Sequence, residues 1–141
     1  MRDSSQSKST TQEEWITLDL LENDMNGFDI DGVISVGIYP GPNDVIITGR
    51  SYEERKETIA FLRGRGIMND VYFNPLPFAE KTRQKSGIHK AWTILKLNPE
   101  IFFEDDPVQW QIIEYLCPDV KVVKVVHELT EKENVRHIGE I

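Results

Sequence analysis

Five short apolar runs punctuate the chain: Met25–Ile30, Val45–Ile47, the stretch DVYFNP, Ile101–Phe103 and Val120–Val126. They are rich in β-branched and aromatic residues, and mostly lack the polar alternation of a half-exposed strand. They read as short strands, and Val45–Ile47 by its composition as a buried parallel one. The segments between them read as helices. Ser51 has the character of an N-cap, with Glu54 three residues on as its capping-box partner. After it, Arg55, Thr58, Ile59 and Leu62 fall at helical spacing, and Gly64 or Gly66 ends the helix. His89–Leu97 and Val108–Leu116 are predicted helices, the former preceded by a basic loop, KTRQKSG. Trp92 and Trp110 read as packing residues and Cys117 as a small core residue. The order is strand, strand, helix, strand, helix, strand, helix, strand. That alternation predicts an α/β domain with a mainly parallel sheet and helices on its faces. Ligands of such sheets gather beyond the carboxyl ends of the strands.

A length of 141 residues suits one domain. Residues 1–24 read as a polar tail ending in a short docking segment. Trp15, Ile16, Leu18, Leu20 and Leu21 are apolar enough to pack on the domain, which spans residues 25–141 and ends in a charged tail with His127 and His137 as surface residues. The formal charge of −8 argues against a large duplex-gripping surface, which would need excess Lys and Arg. One cysteine excludes an internal disulfide and fits a reducing, cytoplasmic setting. The polar N-terminus has no apolar core of a secretory signal, and no apolar run approaches the ~18 residues of a membrane span, so no membrane association is expected.

The chemistry-bearing residues follow the strands. The first run delivers Asp29 and Asp31, the second Thr48, Gly49 and Arg50, the fourth Asp105 and Asp106, with Glu104 beside them on the strand. Lys90 opens the helix before the fourth strand. In a parallel sheet all converge on one edge. So many acids together repel one another, and a divalent cation relieves this; hard oxygen ligands select Mg²⁺. Residues i and i+2 of a strand face one side, so Asp29 and Asp31 could address one reacting group. One carboxylate could attack phosphorus while its neighbour moves a proton. Thr48, amides near Gly49 and a lysine ammonium could hold phosphoryl oxygens. Lys81 and Lys85 compete with Lys90 for that lysine role, and Arg50 could instead pair with Glu53 or Glu54. Lys81, Arg83, Lys85 and His89 place positive charge near the site, enough to steer a phosphorylated substrate in an otherwise acidic protein.

Four motifs, FDIDGVI, VIITGR, HKAWTIL and IFFEDDP, resemble in this order those of the haloacid dehalogenase superfamily, in its Mg²⁺-dependent phosphohydrolase branch. The resemblance spans residues 25–126. It implies a Rossmann-like three-layer α/β/α domain and an aspartyl-phosphate mechanism. Asp29 would be the nucleophile and Asp31 the general acid/base, with its backbone carbonyl on Mg²⁺. Thr48 would hydrogen-bond the transferred group, Lys90 would neutralise charge, and Asp105 with Asp106 would hold the metal alongside Asp29. Gly49, Arg50, Lys81, Arg83 and Lys85 would line the substrate side. Val33 stands where many members have threonine. The short interval VISVGIYPGPND leaves room for the family's flap hairpin but for almost no cap, which implies an open site. The spacing around Lys90 and EDDP is similar to the phosphatase half of polynucleotide kinase-phosphatases. That similarity points toward a nucleotide or nucleic-acid end as substrate.

Two other function classes compete. A non-catalytic phosphate- or partner-binding domain would keep the same residues without turnover. A glycosyltransferase could hold a metal-nucleotide on Asp29 and Asp31, but the chain is short for a second sugar site. A receiver domain is disfavoured because no isolated acid on a middle strand precedes the threonine.

Overall fold

A computed structural model describes residues 24–127. Five strands form one sheet: β1 (Asn26–Phe28), β2 (Val45–Ser51), β3 (Val71–Asn74), β4 (Ile101–Glu104) and β5 (Lys121–Lys124). Their spatial order is β3-β2-β1-β4-β5, and every neighbouring pair is parallel. Three helices accompany them: α1 (Arg55–Gly64), α2 (Arg83–Leu97) and α3 (Pro107–Leu116). This is the Rossmann-like α/β arrangement expected from the alternation of strands and helices.

Two buried clusters on opposite faces of the sheet make the three layers. Phe28, Ile30, Val33, Ile34 and Ile46 pack with Leu62 of α1. Ile47 and Phe102 pack with Ala91 and Ile94 of α2 and Ile113 of α3. Each of these Val, Ile, Leu and Phe side chains contributes ~1.5–3 kcal/mol of transfer free energy on burial. The two helices on the second face approach closely at Gly87. A Cβ there would lie 3.0 Å from Ile112 Cδ1 and 3.3 Å from Gln109 Cα, so the glycine permits the crossing.

Several elements differ from the sequence-based expectations. After β1 the chain forms no flap hairpin. It turns at Ile30–Val33 into a single 3₁₀ turn at Ile34–Val36, with the amides of Val33 and Ser35 both donating to the Ile30 carbonyl. The φ of +86° at Gly32 makes the turn possible. The loop between β3 and α2 holds another 3₁₀ turn, Phe78–Glu80, and neither connection carries a cap domain. α2 starts six residues before the predicted His89, because Thr82 caps it, its hydroxyl accepting from the Lys85 amide at 3.0 Å. KTRQKSG is therefore mostly helix, not loop. The predicted capping partner of Ser51 is present: the Glu54 carboxylate accepts from the Ser51 amide at 2.9 Å, closing a 3₁₀ turn (Tyr52–Glu54) that leads into α1. Trp92 is 69% exposed rather than packed, whereas Cys117 is buried as expected. No helix among the described residues is long and apolar enough to cross a membrane. The expectations for residues 1–23, for the charged tail beyond residue 127 and for His137 lie outside the described residues.

Candidate functional site

A cleft of about 580 Å³ opens at the carboxyl edge of the sheet, above the central strands β1, β2 and β4. Asp29, Asp31, Gly49, Arg50, Lys81, Arg83, Lys90, Asp105 and Asp106 all line it, joined by Glu104, Gln109, Ser86 and His127. The topology explains the convergence: Asp29 follows directly on β1, β4 ends at Glu104, and α2 runs back under the edge so that its inward face presents Lys90.

Lys90 is the centre of the floor. Its ammonium donates to Glu104 Oε1 at 2.7 Å and to Gln109 Oε1 at 2.6 Å, and lies 3.1 Å from Asp29 Oδ1. All four side chains are buried. Burial disfavours the ammonium, but the Asp29 and Glu104 charges outweigh it and hold Lys90 protonated, above its usual range. Burial pushes the Asp29 carboxyl well up, and the Glu104 charge pushes it further, against the pull of Lys90. Burial likewise raises Glu104. Asp105 is pushed up to about 7 by burial and by the Asp29 charge.

Asp29, Glu104 and Asp105 each offer an oxygen within 4.8 Å of the other two. Three carboxylates face one ammonium there, a formal excess of two negative charges. That excess equals the charge of a divalent cation, and hard oxygen donors suit Mg²⁺ or Ca²⁺. The three acids are not equivalent. Glu104 Oε1 is taken by Lys90, and its Oε2 accepts from the amides of Asp105 and Asp106 at 3.1 Å each. Glu104 thus orients the lysine and the loop, and Asp29 and Asp105 are the better placed to meet a cation. Gly32 stands directly against Asp105: a Cβ there would lie 1.9 Å from Asp105 Oδ2, so only glycine leaves the carboxylate its place.

Around this floor runs a rim of ion pairs. Asp31 takes two hydrogen bonds from Arg50, at 3.0 and 2.7 Å. Burial pushes Asp31 up, but the Arg50 hydrogen bonds and charge prevail and hold it below the usual carboxylate range. Arg50 also donates to Thr58 Oγ1 at 3.1 Å and so pairs with neither Glu53 nor Glu54. Glu54 instead holds Lys81 at 2.7 Å. Arg83 makes two bonds to Asp106, at 3.0 and 2.7 Å, and Asp106 also caps α3 through the Val108 amide at 2.9 Å.

These contacts decide where each expected residue stands. Asp29, Asp31, Lys90 and Asp105 come together as anticipated, and Gly49, Arg50, Lys81 and Arg83 line the same cleft. Asp106 also lines it, but its oxygens serve Arg83 and the helix cap, away from the acidic cluster. Thr48 is fully buried and outside the lining. Its hydroxyl accepts from the Arg50 amide at 3.1 Å, and its carbonyl accepts from His89 Nε2 at 3.0 Å. Ser86 lines the wall in its place, where a Cβ on Gly49 would sit 3.0 Å from Ser86 Oγ. Lys85 points to a separate groove with Trp92, because α2 already begins at Arg83. His127, expected on the surface, lines the cleft 3.8 Å from Asp105 Oδ2. Glu104, noted in the sequence beside Asp105 and Asp106 but given no role, and Gln109 are the participants that sequence reasoning did not assign. The period-2 alternation of Phe102 and Glu104, both fully buried, was the available signal for the first.

No family model matches this chain, and no curated protein matches it.

Proposed function

We propose that the protein is a Mg²⁺-dependent phosphomonoester hydrolase working through an aspartyl-phosphate on Asp29. One observation carries the reading: the buried Asp29–Lys90–Glu104 cluster, with Asp105 beside it, sits at the carboxyl edge of a parallel sheet and gathers three carboxylates around one ammonium. Burying such an excess costs several kcal/mol per ion unless a cation or a chemical role accompanies it.

Asp29 attacks phosphorus and the bond from phosphorus to the leaving oxygen breaks; that oxygen takes a proton from solvent, because Arg50 holds Asp31 ionised, and the proton that Asp31 gains in the next step returns to solvent. Asp31 then takes a proton from water, whose oxygen attacks the phosphorus and releases phosphate, restoring the Asp29 carboxylate. Lys90 balances charge on Asp29 throughout, because it stays protonated. The Gly49 amide and Ser86 hydroxyl are the wall groups suited to phosphoryl oxygens. A divalent cation held by Asp29 and Asp105 would supply further positive charge for the phosphoryl group and keep Asp29 ionised.

Among the described residues no cap covers the cleft, and the open mouth suits a large phosphorylated substrate, a nucleotide or a nucleic-acid end among them. A second reading, a non-catalytic phosphate-binding domain, draws on the burial of Thr48 away from the cleft wall. The test is release of phosphate from an aryl phosphate with and without Mg²⁺. Turnover should need the metal and fall at least ~10³-fold in Asp29→Asn, a loss of ~4 kcal/mol in transition-state stabilisation. Absence of turnover on the aryl phosphate, on nucleotides and on phosphorylated oligonucleotide ends would leave the binding domain as the answer.

A further inference from the structure

The outer face of α2 combines two features that the catalytic reading does not use. Ile88, Trp92 and Leu95 are 43%, 69% and 57% exposed and lie at helical spacing, a stripe spanning ~10 Å of helix. The sequence from Lys81 to Pro99 holds five Lys and Arg residues and no acid, in a chain whose formal charge is −8. Lys90 is buried, while Lys81 and Arg83 are paired at the cleft, so Lys85 and Lys96 belong to the outer face. Together with Trp92 they border a groove of about 500 Å³.

A matching segment exists in the same chain. Residues 13–22 read EEWITLDLLE: Trp15, Ile16, Leu18, Leu20 and Leu21 among four acids, with no Lys or Arg between Lys8 and Arg50. The segment also enters the domain at the right place. The Met25 carbonyl accepts from the Glu100 amide at 2.8 Å, three residues beyond the end of α2. From there, ten residues reach at most ~33 Å, well beyond the length of the stripe.

We propose that residues 13–22 dock in cis along the outer face of α2. Their apolar side chains cover Ile88, Trp92 and Leu95. Running back from β1, the segment brings Glu22 and Asp19 to Lys96, and Glu13 and Glu14 to Lys85. The surface is an intramolecular docking site for an acidic, apolar segment, braced on the helix that presents Lys90 to the cleft.

Hydrogen exchange on the full chain, read by mass spectrometry, tests this. Amides of residues 13–22 should exchange about tenfold more slowly than in a Leu18→Asp/Leu21→Asp variant, as for a docked state favoured ten to one. Trp92→Glu should abolish the same protection while the amides of residues 86–94 stay slow, because Trp92 makes little core contact. A zero-length carbodiimide cross-link should join Glu22 or Asp19 to Lys96 within a monomer. Equal exchange of residues 13–22 in wild type, Trp92→Glu and the tail variant overturns the proposal. So does protection that grows with protein concentration alongside a dimeric mass, which assigns the segment to a second copy.

Discussion

Replacing Lys90 by Met asks whether the cleft floor is an electrostatic construction or merely a packed one. Methionine nearly conserves the volume and removes the charge. In the native protein the ammonium lies 2.7 Å from Glu104 and 3.1 Å from Asp29, with none of the three side chains more than 6% exposed. Removing one partner of a buried ion pair costs ~3–5 kcal/mol because the remaining charge is stranded. For a domain of this size that is a fall in Tm on the order of 15 °C at pH 8. The cost should depend on pH in a determined direction. Burial already pushes Asp29 and Glu104 upward, and without Lys90 to oppose it they rise further. The variant's native state then binds more protons than the wild type's. Its stability falls more steeply as pH rises, by about 1.4 kcal/mol per pH unit for each extra proton bound. The gap between variant and wild type therefore narrows as pH falls from 8 to 5.5. Urea unfolding followed by circular dichroism at several pH values measures this directly. A gap constant across that range would refute the reasoning, because lost hydrocarbon contacts and a lost Gln109 hydrogen bond do not titrate.

Three further outcomes follow from the same geometry. Gly32→Ala should cut Mg²⁺-dependent turnover at least ~10-fold and lower stability by ~1–3 kcal/mol, read by kinetics and melting, because a Cβ at φ +86° lands on the Asp105 carboxylate. Without divalent metal, the wild-type melting temperature should fall as pH rises from 5 to 8. Asp105, pushed up to about 7, contributes stability that is present at low pH and lost as pH rises through that value, and millimolar Mg²⁺ should flatten the profile. Arg50→Gln should move the acidic limb of the kcat–pH profile to higher pH, because the Arg50 charge holds Asp31 below its usual range and Asp31 must be ionised to activate water.

The fold was readable because its evidence is local and redundant. Five short apolar runs are interleaved with three stretches of helical spacing, and a parallel sheet is the arrangement that buries them all. The site was readable to the extent that strand ends determine it. Asp29, Asp31, Lys90 and Asp105 meet because β1, β4 and the inward face of α2 end at one edge, a consequence of topology. What failed depended on side-chain partners. Glu104 and Asp106 lie within two residues of Asp105, and sequence alone cannot say which one turns inward. The structure decides by offering Arg83 to Asp106 and Lys90 to Glu104. Arg50 had two nearer acids available and took Asp31 instead, nineteen residues away. The start of α2 was missed because Ser86 and Gly87 look like helix breakers. The missing side chain of Gly87 is what lets α3 pack close, and Gln109 of α3 reaches Lys90.

The rim also bears on which phosphates the cleft could admit. Its cations are Arg50, Lys81 and Arg83, and each is matched by an acid: Asp31, Glu54 and Asp106. These pairs are partly exposed, so each contributes at most ~1 kcal/mol to stability. Their larger effect is to cancel the field that Lys and Arg would otherwise project from the mouth. A polyanion would gain little on approach, whereas a single phosphoryl group reaching the floor would meet Lys90 and the acids that could hold a divalent cation. The remaining exposed lysines on α2, Lys85 and Lys96, face the other groove, where the acidic segment of the same chain would cover them. Discrimination would then rest on the floor rather than the rim: under the proposed function the cleft would select the phosphoryl group itself and place few charge demands on what the phosphate is attached to. An open mouth with neutral pairs and a strongly charged base is the arrangement expected of a hydrolase that accepts varied monoesters.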